Sequence, residues 1–132
     1  KLHFDEVING YCAISIDENP FNTNIPKVIF NEDNQMIYMS RQAIPGTKDT
    51  KKRSINYFKQ VCIYAFNLDE LNQYVGYGRK SYLEKYEDIE IIRFLEWNKK
   101  IRMVKTEPGS LAVDTLEDVK IVEDRLSNLH DV

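Results

Sequence analysis

Several polar side chains in this chain of 132 residues have types and spacings suited to binding charged ligands. Asp114 stands out because it directly precedes Thr115, at the junction between a loop and a helical pattern. A carboxylate is a hard oxygen donor, and Mg²⁺ prefers such ligands. Asp114 is therefore a candidate metal ligand, with simple capping of the last helix as the alternative.

A second group of candidates lies on short β-rich segments. Arg41 follows such a segment, and its guanidinium fork can bind a carboxylate through two hydrogen bonds. Gln60 and Tyr64 are four residues apart in a strand pattern, so both side chains should project from the same face and can hydrogen-bond to hydroxyl groups. A surface ion pair for Arg41 and a core position for Tyr64 are the alternatives.

A third group lies on a predicted helix. Glu87, Glu90 and Arg93 are spaced i, i+3 and i+6, so their side chains should fall along one side of that helix. They are candidates for contacts with a polar ligand. Ion pairing on the helix surface explains the spacing equally well, although it contributes only about 0.2–0.5 kcal/mol per pair.

One basic cluster interrupts an otherwise even mixture of charges. It consists of Lys48, Lys51, Lys52 and Arg53. The formal net charge of the chain is −3, so electrostatics give no general affinity for nucleic acid, and we expect no nucleic acid partner. The hydrophilic surroundings of the cluster are typical of a solvated loop, and a lid that closes over phosphate groups is the alternative.

The cysteines and histidines do not form a zinc-binding pattern. Cys12 and Cys62 sit apart in apolar surroundings, and the chain has only two histidines. We expect both thiols to be buried and structural, in a protein of the reducing cytoplasm. Because no apolar run approaches the roughly 20 residues needed to cross a bilayer, we expect no membrane partner.

The apolar pattern changes its period several times along the chain, which predicts mixed α and β structure. Residues 10–16 predict a strand, with the end of a helix that leads into a strand as the alternative. The runs KVIF at 27–30 and MIYM at 36–39 predict a hairpin around a polar turn. The stretch 58–66 is almost entirely apolar or aromatic after Gln60, which predicts a central strand covered on both faces.

Two helical patterns follow that strand. Asn67 is a good N-cap for a helix that fades by Gly76. The stretch 81–98 then predicts one longer helix, because Ser81 and Glu84 form a capping-box pattern ahead of an apolar stripe. That stripe comprises Ile89, Ile92 and Leu95, with Leu83, Tyr86 and Phe94 as further members.

The last third of the chain predicts a strand at 101–105 and a final helix capped by Thr115. The final helix carries an apolar row of Val119, Val122 and Leu126. Strands and helices in this order are typical of a layered α/β domain with a mixed sheet and flanking helices. We expect a single domain over residues 1–132, long enough to bury a core.

Four segments of the chain resemble one enzyme family, in the family's own order. Residues 38–45 resemble the "YFSRxxIP" segment of the 3-deoxy-manno-octulosonate cytidylyltransferases. Residues 57–66 are similar to the family's "YxKxxGIYAF" strand, with Cys62 in place of the usual glycine. Residues 83–96 resemble "LExxExxExLRxLExG", and 113–118 resemble "VDTxEDL".

The resemblance implies a fold, a reaction and roles for the candidate residues. It implies the C-terminal portion of a Rossmann-like nucleotide-diphospho-sugar transferase fold and a homodimer. The implied reaction transfers CMP from CTP to a 3-deoxy-2-keto sugar acid such as 3-deoxy-manno-octulosonate, with Mg²⁺ as cofactor. It gives Asp114 a catalytic and metal-binding role. It gives substrate-binding roles to Arg41, Gln60, Tyr64, Glu87, Glu90 and Arg93.

The departures from the family pattern also carry an expectation. The sequence contains neither the "PARxxSxRxPGKxL" nor the "QGDxP" segment, which the family places ahead of this region, and it begins at Lys1. We therefore expect the C-terminal part of a cytidylyltransferase, without the nucleotide-binding segment. The alternatives are a catalytically inert dimerisation and sugar-binding module, and a cytidylyltransferase of the sialic-acid type.

Overall fold

The structure is a computed structural model that describes residues 6–48, 55–107, 113 and 116–129. The strands among these residues are β1 (Val7–Ala13), β2 (Lys27–Phe30), β3 (Met36–Ser40), β4 (Phe58–Ala65) and β5 (Ile101–Lys105). The helices are α1 (Leu68–Tyr77), α2 (Tyr82–Glu87), α3 (Ile92–Glu96) and α4 (Leu116–Leu129). None of these helices is both long enough and apolar enough to span a bilayer.

The strands form one mixed sheet in the order β3-β2-β4-β1-β5. Strands β2 and β3 pair antiparallel, which confirms the predicted hairpin. Strand β4 occupies the centre, antiparallel to both β2 and β1. Strand β5 lies parallel to β1, with Val7 opposite Ile101. The predicted layered α/β architecture with a mixed sheet is therefore confirmed.

The hydrophobic core lies between this sheet and the segment that contains α3. The sheet contributes Val7, Tyr11, Val28, Met36, Met39, Ile101 and Met103, and the helical side contributes Ile89, Ile91, Ile92 and Phe94. Phe94 also stacks on Phe66, with ring centroids 5.3 Å apart. Because burying apolar surface contributes about 25 cal/mol per Å², this layer fixes the position of α3 against the sheet.

The prediction of one helix over 81–98 is wrong, because the helix breaks at Asp88. The capping box of Ser81 and Glu84 is confirmed, but Asp88 adopts the left-handed conformation (φ 51°) and ends α2. Aspartate tolerates that conformation better than most residues. The break shifts the apolar stripe, so Ile91 is buried while Tyr86, expected in the stripe, is 74% exposed.

Strand β4 is covered less completely than its sequence predicts. Its first half is buried, but Cys62 and Ile63 are exposed. Gly10 of β1 pairs with Val61 and Asn9 pairs with Tyr64, so Cys62 and Ile63 form a bulge between these pairs. The expectation of a buried Cys62 is therefore wrong, because residues in a bulge leave the regular alternation of the strand.

The other element boundaries need smaller corrections. Strand β1 ends at Ala13 and does not continue to Ile16, whose side chain is 100% exposed. Cys12 is buried, as expected. The Asn67 cap of α1 is confirmed, and the helix runs one residue beyond Gly76. Thr115 lies outside the described residues. The apolar row of α4 is exposed at Val119 and Leu126.

Candidate functional site

Two cavities adjoin each other in the structure, and the larger one lies beside the bulged part of β4. It has a volume of about 660 Å³, within the range of roughly 300–1,000 Å³ that is usual for ligand sites. Its walls come from β4, from the loop at residues 24–26 and from the segment 88–90 that follows α2. The polar side chains among its lining residues include Arg41, Lys59, Gln60, Tyr64 and Glu90.

Gln60 and Tyr64 both line this cavity, so they share a face as the strand pattern predicts. The Gln60 amide nitrogen donates a hydrogen bond to the Tyr64 hydroxyl oxygen. Burial raises the pKa of Tyr64, with a smaller contribution from the neighbouring Cys62. The phenol therefore keeps its proton at neutral pH and can donate a hydrogen bond to a ligand oxygen.

Arg41 lines the cavity, but its guanidinium makes three hydrogen bonds to backbone carbonyls of the protein. Its Nε donates to the carbonyl of Glu87 at 2.6 Å. Its two terminal nitrogens donate to the carbonyls of Thr23 and Asp88, each at 3.0 Å. Because arginine carries only five N–H donors, these bonds leave part of the fork for a ligand carboxylate. Arg41 thereby ties two walls of the cavity together.

Glu87 and Lys27 hold the backbone of Arg41 from both sides. The Glu87 carboxylate accepts from the Arg41 N–H at 2.8 Å and from Ser40 Oγ at 2.7 Å. Lys27 is fully buried, and its ammonium donates to the Arg41 carbonyl and, at 2.8 Å, to that of Asn22. Burial and the nearby Arg41 lower the pKa of Lys27. We call Lys27, Arg41 and Glu87 the Arg41 clamp.

Arg93 forms a buried ion pair and does not line either cavity. Its Nε and one terminal nitrogen donate to the two carboxylate oxygens of Glu84, each at 2.7 Å. Its guanidinium carbon lies 3.8 Å from the centre of the Tyr74 ring. Although burial alone would raise the pKa of Glu84, the bonds from Arg93 and from the Ser81 N–H hold it below its ordinary value.

Glu87, Glu90 and Arg93 therefore do not share one helix side, and that expectation is wrong. The left-handed turn at Asp88 separates Glu87 from the other two. Glu87 faces the β2–β3 hairpin, Arg93 faces Glu84, and Glu90 is exposed beside the cavity. Their roles in binding a substrate stay predictions.

A smaller, almost wholly apolar cavity of about 240 Å³ adjoins the first, because Tyr64 and Glu90 line both. Its other walls are Phe66, Leu71, Tyr74, Ile91 and Phe94. The two cavities thus share a boundary at one phenol and one carboxylate. A ligand that reached this boundary would find hydrogen-bonding groups on one side and aromatic rings on the other.

An ion pair that the sequence pattern did not identify also lines the larger cavity. Lys59 Nζ contacts the Glu18 carboxylate, with side chains 11% and 19% exposed. Burial opposes ionisation of Glu18, but the bonds from Lys59 and Ser15 hold its pKa below the ordinary value. No local signal identifies this pair, because 41 residues separate its members. Lys27 of the Arg41 clamp was missed for a different reason, since lysines in strands are usually exposed.

Two candidates from the sequence fall largely outside the described residues. Asp114 lies outside them, so its role as metal ligand stays a prediction. Of the basic cluster, only Lys48 is described, and it is exposed. Within the described ranges, no group of three or more His, Cys, Asp or Glu side chains could hold a metal ion.

The relatives and the solved structure that match this chain belong to one group of enzymes. No protein-family model matches the chain. The chain is 40% identical over 106 residues to the 3-deoxy-manno-octulosonate cytidylyltransferase of Christiangramia forsetii. This match covers 80% of this chain and 42% of that protein. The chain is 37% identical over 132 residues to the enzyme of the same name from Lawsonia intracellularis, covering 92% of this chain and 51% of that protein.

A solved structure gives the same result for the fold. It is described as CMP:2-keto-3-deoxy-manno-octonic acid synthetase complexed with CTP, and it matches with a TM-score of 0.79 at 28% identity. The match covers 93% of this chain and 49% of that chain. This chain therefore spans about half the length of the relatives that it matches.

Proposed function

The chain belongs, over the stretch that it shares with its relatives, to the 3-deoxy-manno-octulosonate cytidylyltransferase family, and we propose that it forms the sugar-acid-binding part of such an enzyme. The whole enzyme would transfer CMP from CTP to a 3-deoxy-2-keto sugar acid such as 3-deoxy-manno-octulosonate. One observation carries the proposal. The cavity of about 660 Å³ brings together Arg41, Gln60, Tyr64 and Glu90, all of them in or beside the motifs that the family shares.

The polar side chains of the cavity lining support a ligand with one carboxylate and several hydroxyl groups. The part of the Arg41 fork that is not bound to carbonyls would pair with the sugar carboxylate. Gln60 and the protonated Tyr64 would hydrogen-bond to hydroxyl groups, and the Glu90 carboxylate would accept from others. Glu87 and Arg93 would act through the residues that they hold.

The proposed reaction is a nucleotidyl transfer without any redox step. The anomeric hydroxyl oxygen of the sugar acid forms a bond to the α-phosphorus of CTP. The bond from that phosphorus to the bridging oxygen breaks, pyrophosphate leaves, and the hydroxyl proton passes to solvent. Holding the hydroxyl in line with the leaving group is the main contribution of a binding cavity, because orientation alone can supply about 7–11 kcal/mol of the barrier.

We also propose that the complete enzyme needs Mg²⁺ and that Asp114 supplies one of its ligands. A bound divalent cation would neutralise the phosphate charge of CTP. The support is the "VDT" sequence at 113–115 and the preference of Mg²⁺ for carboxylate oxygen. Asp114 lies outside the described residues. The contacts proposed above for the sugar acid use other side chains and do not depend on the ion.

A homodimer in the cytoplasm is the proposed setting. Strand β3 is an edge of the sheet, and Ile37 on it is 57% exposed, which supports pairing with a second copy. Both thiols are free, which suits a reducing compartment. Light scattering tests the dimer. A dimer mass that halves in Ile37→Lys, but not in the loop variant Ile16→Lys, supports a dimer that pairs through β3. A dimer mass that is unchanged in Ile37→Lys contradicts pairing through β3, and a monomer mass for the wild type contradicts the dimer.

The second candidate is a sugar-binding and dimerisation module without catalysis of its own. The observations that favour it are the cavity lined by Arg41, Gln60 and Tyr64 and the exposed edge strand β3, because sugar binding and pairing would use these features alone. Such a module would bind a sugar acid in the same cavity but would release no pyrophosphate in any complete polypeptide that carries it.

The decisive experiment measures pyrophosphate release from CTP and Mg²⁺ by the polypeptide that carries this chain, across a panel of 2-keto-3-deoxy sugar acids. Release that depends on one sugar acid supports the cytidylyltransferase. Tyr64→Phe should then raise the KM for that sugar acid, while Tyr82→Phe, an exposed tyrosine on α2, should behave as the wild type. No release with any sugar acid, combined with retained sugar binding, would favour the inert module.

A further inference from the structure

One buried carboxamide on β1 bridges the irregular part of β4. The Asn9 side-chain nitrogen donates to the carbonyl of Val61 at 3.0 Å and to that of Ile63 at 3.1 Å. Asn9 is 0% exposed, and its side-chain oxygen has no hydrogen-bond partner among the described residues. The whole donor capacity of this carboxamide thus goes to the two carbonyls that flank Cys62.

These two carbonyls lie at the start of the bulge and within it. Since Gly10 pairs with Val61, a regular antiparallel ladder would place Tyr64 opposite Val7. The bulge places it opposite Asn9 instead, which is a displacement of about 7 Å along the strand at roughly 3.4 Å per residue. Only in this displaced position is Tyr64 opposite the residue that holds the bulge.

The bulge has a direct effect on the larger cavity. Tyr64 is displaced toward Gln60, whose amide nitrogen donates to the Tyr64 hydroxyl, and both side chains line the cavity. Cys62, at the centre of the bulge, lines the same cavity and is exposed. Bulges are over-represented beside functional sites because they redirect a side chain in this way.

We propose that Asn9 is a positioning residue for the sugar-acid site: it fixes the bulge at Cys62–Ile63 and so holds the Tyr64 hydroxyl beside Gln60. The identity of the ligand rests on the proposed function, whereas the role of Asn9 in the bulge does not. The chain is packed closely around Gly10, because a Cβ there would lie 3.1 Å from Thr106 Cγ2 and 3.4 Å from Val61 Cβ. This close packing limits any shift of β1 that could compensate for the loss of Asn9.

Two variants of Asn9 test the proposal in the complete polypeptide. Asn9→Leu removes both donors and keeps a similar volume, and Asn9→Ser keeps one donor. Asn72→Leu makes the same exchange at an exposed position of α1 and is the matched control. The measurements are kcat, the KM values for sugar acid and CTP, and the rate at which iodoacetamide alkylates Cys62. The buried Cys12 reports folding, because it stays protected in a folded variant.

We expect Asn9→Leu to raise the KM for the sugar acid about tenfold and to leave the KM for CTP unchanged, because a misplacement of about 1 Å can cost up to about a hundredfold. The alkylation rate of Cys62 should change by about threefold or more, as expected for a locally loosened segment. Asn9→Ser should fall between, and Asn72→Leu should match the wild type. An Asn9→Leu protein with protected Cys12 and unchanged KM and alkylation rate would overturn the proposal.

The design separates this inference from the proposed function. If the wild type releases no pyrophosphate with any sugar acid, the proposed function fails, and the alkylation rates alone decide the role of Asn9. Equal Cys62 rates in the wild type and in Asn9→Leu then overturn it, and different rates support it. If Cys12 becomes reactive in Asn9→Leu, the same comparison is made with Asn9→Ser.

Discussion

Replacing Arg93 with methionine should destabilise the protein through the carboxylate that it leaves behind. The Glu84 side chain is 1% exposed and the Arg93 side chain 7%. Removing one partner of such a buried pair costs about 3–5 kcal/mol, because the other charge stays buried without compensation. We expect about 3 kcal/mol for Arg93→Met, at the lower end, since the Ser81 N–H still donates to Glu84 at 3.0 Å.

The loss should depend on pH in a direction that follows from the same contacts. In the wild type the pKa of Glu84 is lowered, so the pair stabilises the fold above the unfolded pKa of about 4.3 and loses that effect as the pH falls through the folded pKa. Without Arg93, burial dominates and favours the protonated acid. The deficit of Arg93→Met should therefore be smaller at pH 4 than at pH 7.

Urea unfolding at both pH values measures this effect. Arg79→Met is the matched control, because Arg79 is exposed, and a surface change should stay within about 0.5 kcal/mol. The double variant Arg93→Met with Glu84→Gln should recover part of the loss, since the remaining side chain is neutral. A single variant within about 1 kcal/mol of the wild type, with a raised sugar-acid KM, would refute this reasoning and make Arg93 a ligand-binding residue.

Three further predictions concern the site. Arg41→Ala should raise the KM for the sugar acid and retain CTP binding, and a loss confined to CTP would contradict the assignment. Glu87→Gln should lower the free energy of unfolding by about 1–2 kcal/mol, because charge-assisted bonds to Ser40 and the Arg41 N–H become neutral ones; unchanged urea unfolding would exclude the Arg41 clamp. Asp114→Asn should reduce turnover and Mg²⁺ affinity far more than stability, and unchanged kinetics would remove it as a metal ligand.

The elements were predictable wherever local chemistry decides them. The β2–β3 hairpin follows from two short β-rich runs around a polar turn, and the caps at Asn67 and Ser81 follow from side chains that satisfy helix N–H groups. The break at Asp88 was not predictable, because the apolar spacing continues through it. Tertiary packing decided the outcome there, since restarting the helix buries Ile91 beside Ile92.

The candidate site divides in the same way. That Gln60 and Tyr64 share a face was predictable from strand geometry, but their hydrogen bond was not, because it depends on the bulge between them. That bulge depends on Asn9, which lies 52 residues away from Val61 in the chain. Lys27 and Arg41 lie in and directly after the predicted hairpin, but the burial of Lys27 was not predictable, because lysine side chains are usually exposed. Sequence patterns report local preferences, and a contact such as that between Asn9 and Val61 appears only once the sheet order is known.

The sheet order also has a consequence for how the chain is made. Strand β1 pairs with β4 and β5, so both of its partners leave the ribosome long after it does. Val7 cannot pair with Ile101 until the ribosome has released Ile101. At roughly 5–20 residues per second, that separation of about 94 residues takes about 5–20 s. Throughout this interval at least one edge of the nascent strand is unpaired, and unpaired edges are prone to aggregate. Binding by a chaperone during translation should therefore be strongest before β5 emerges.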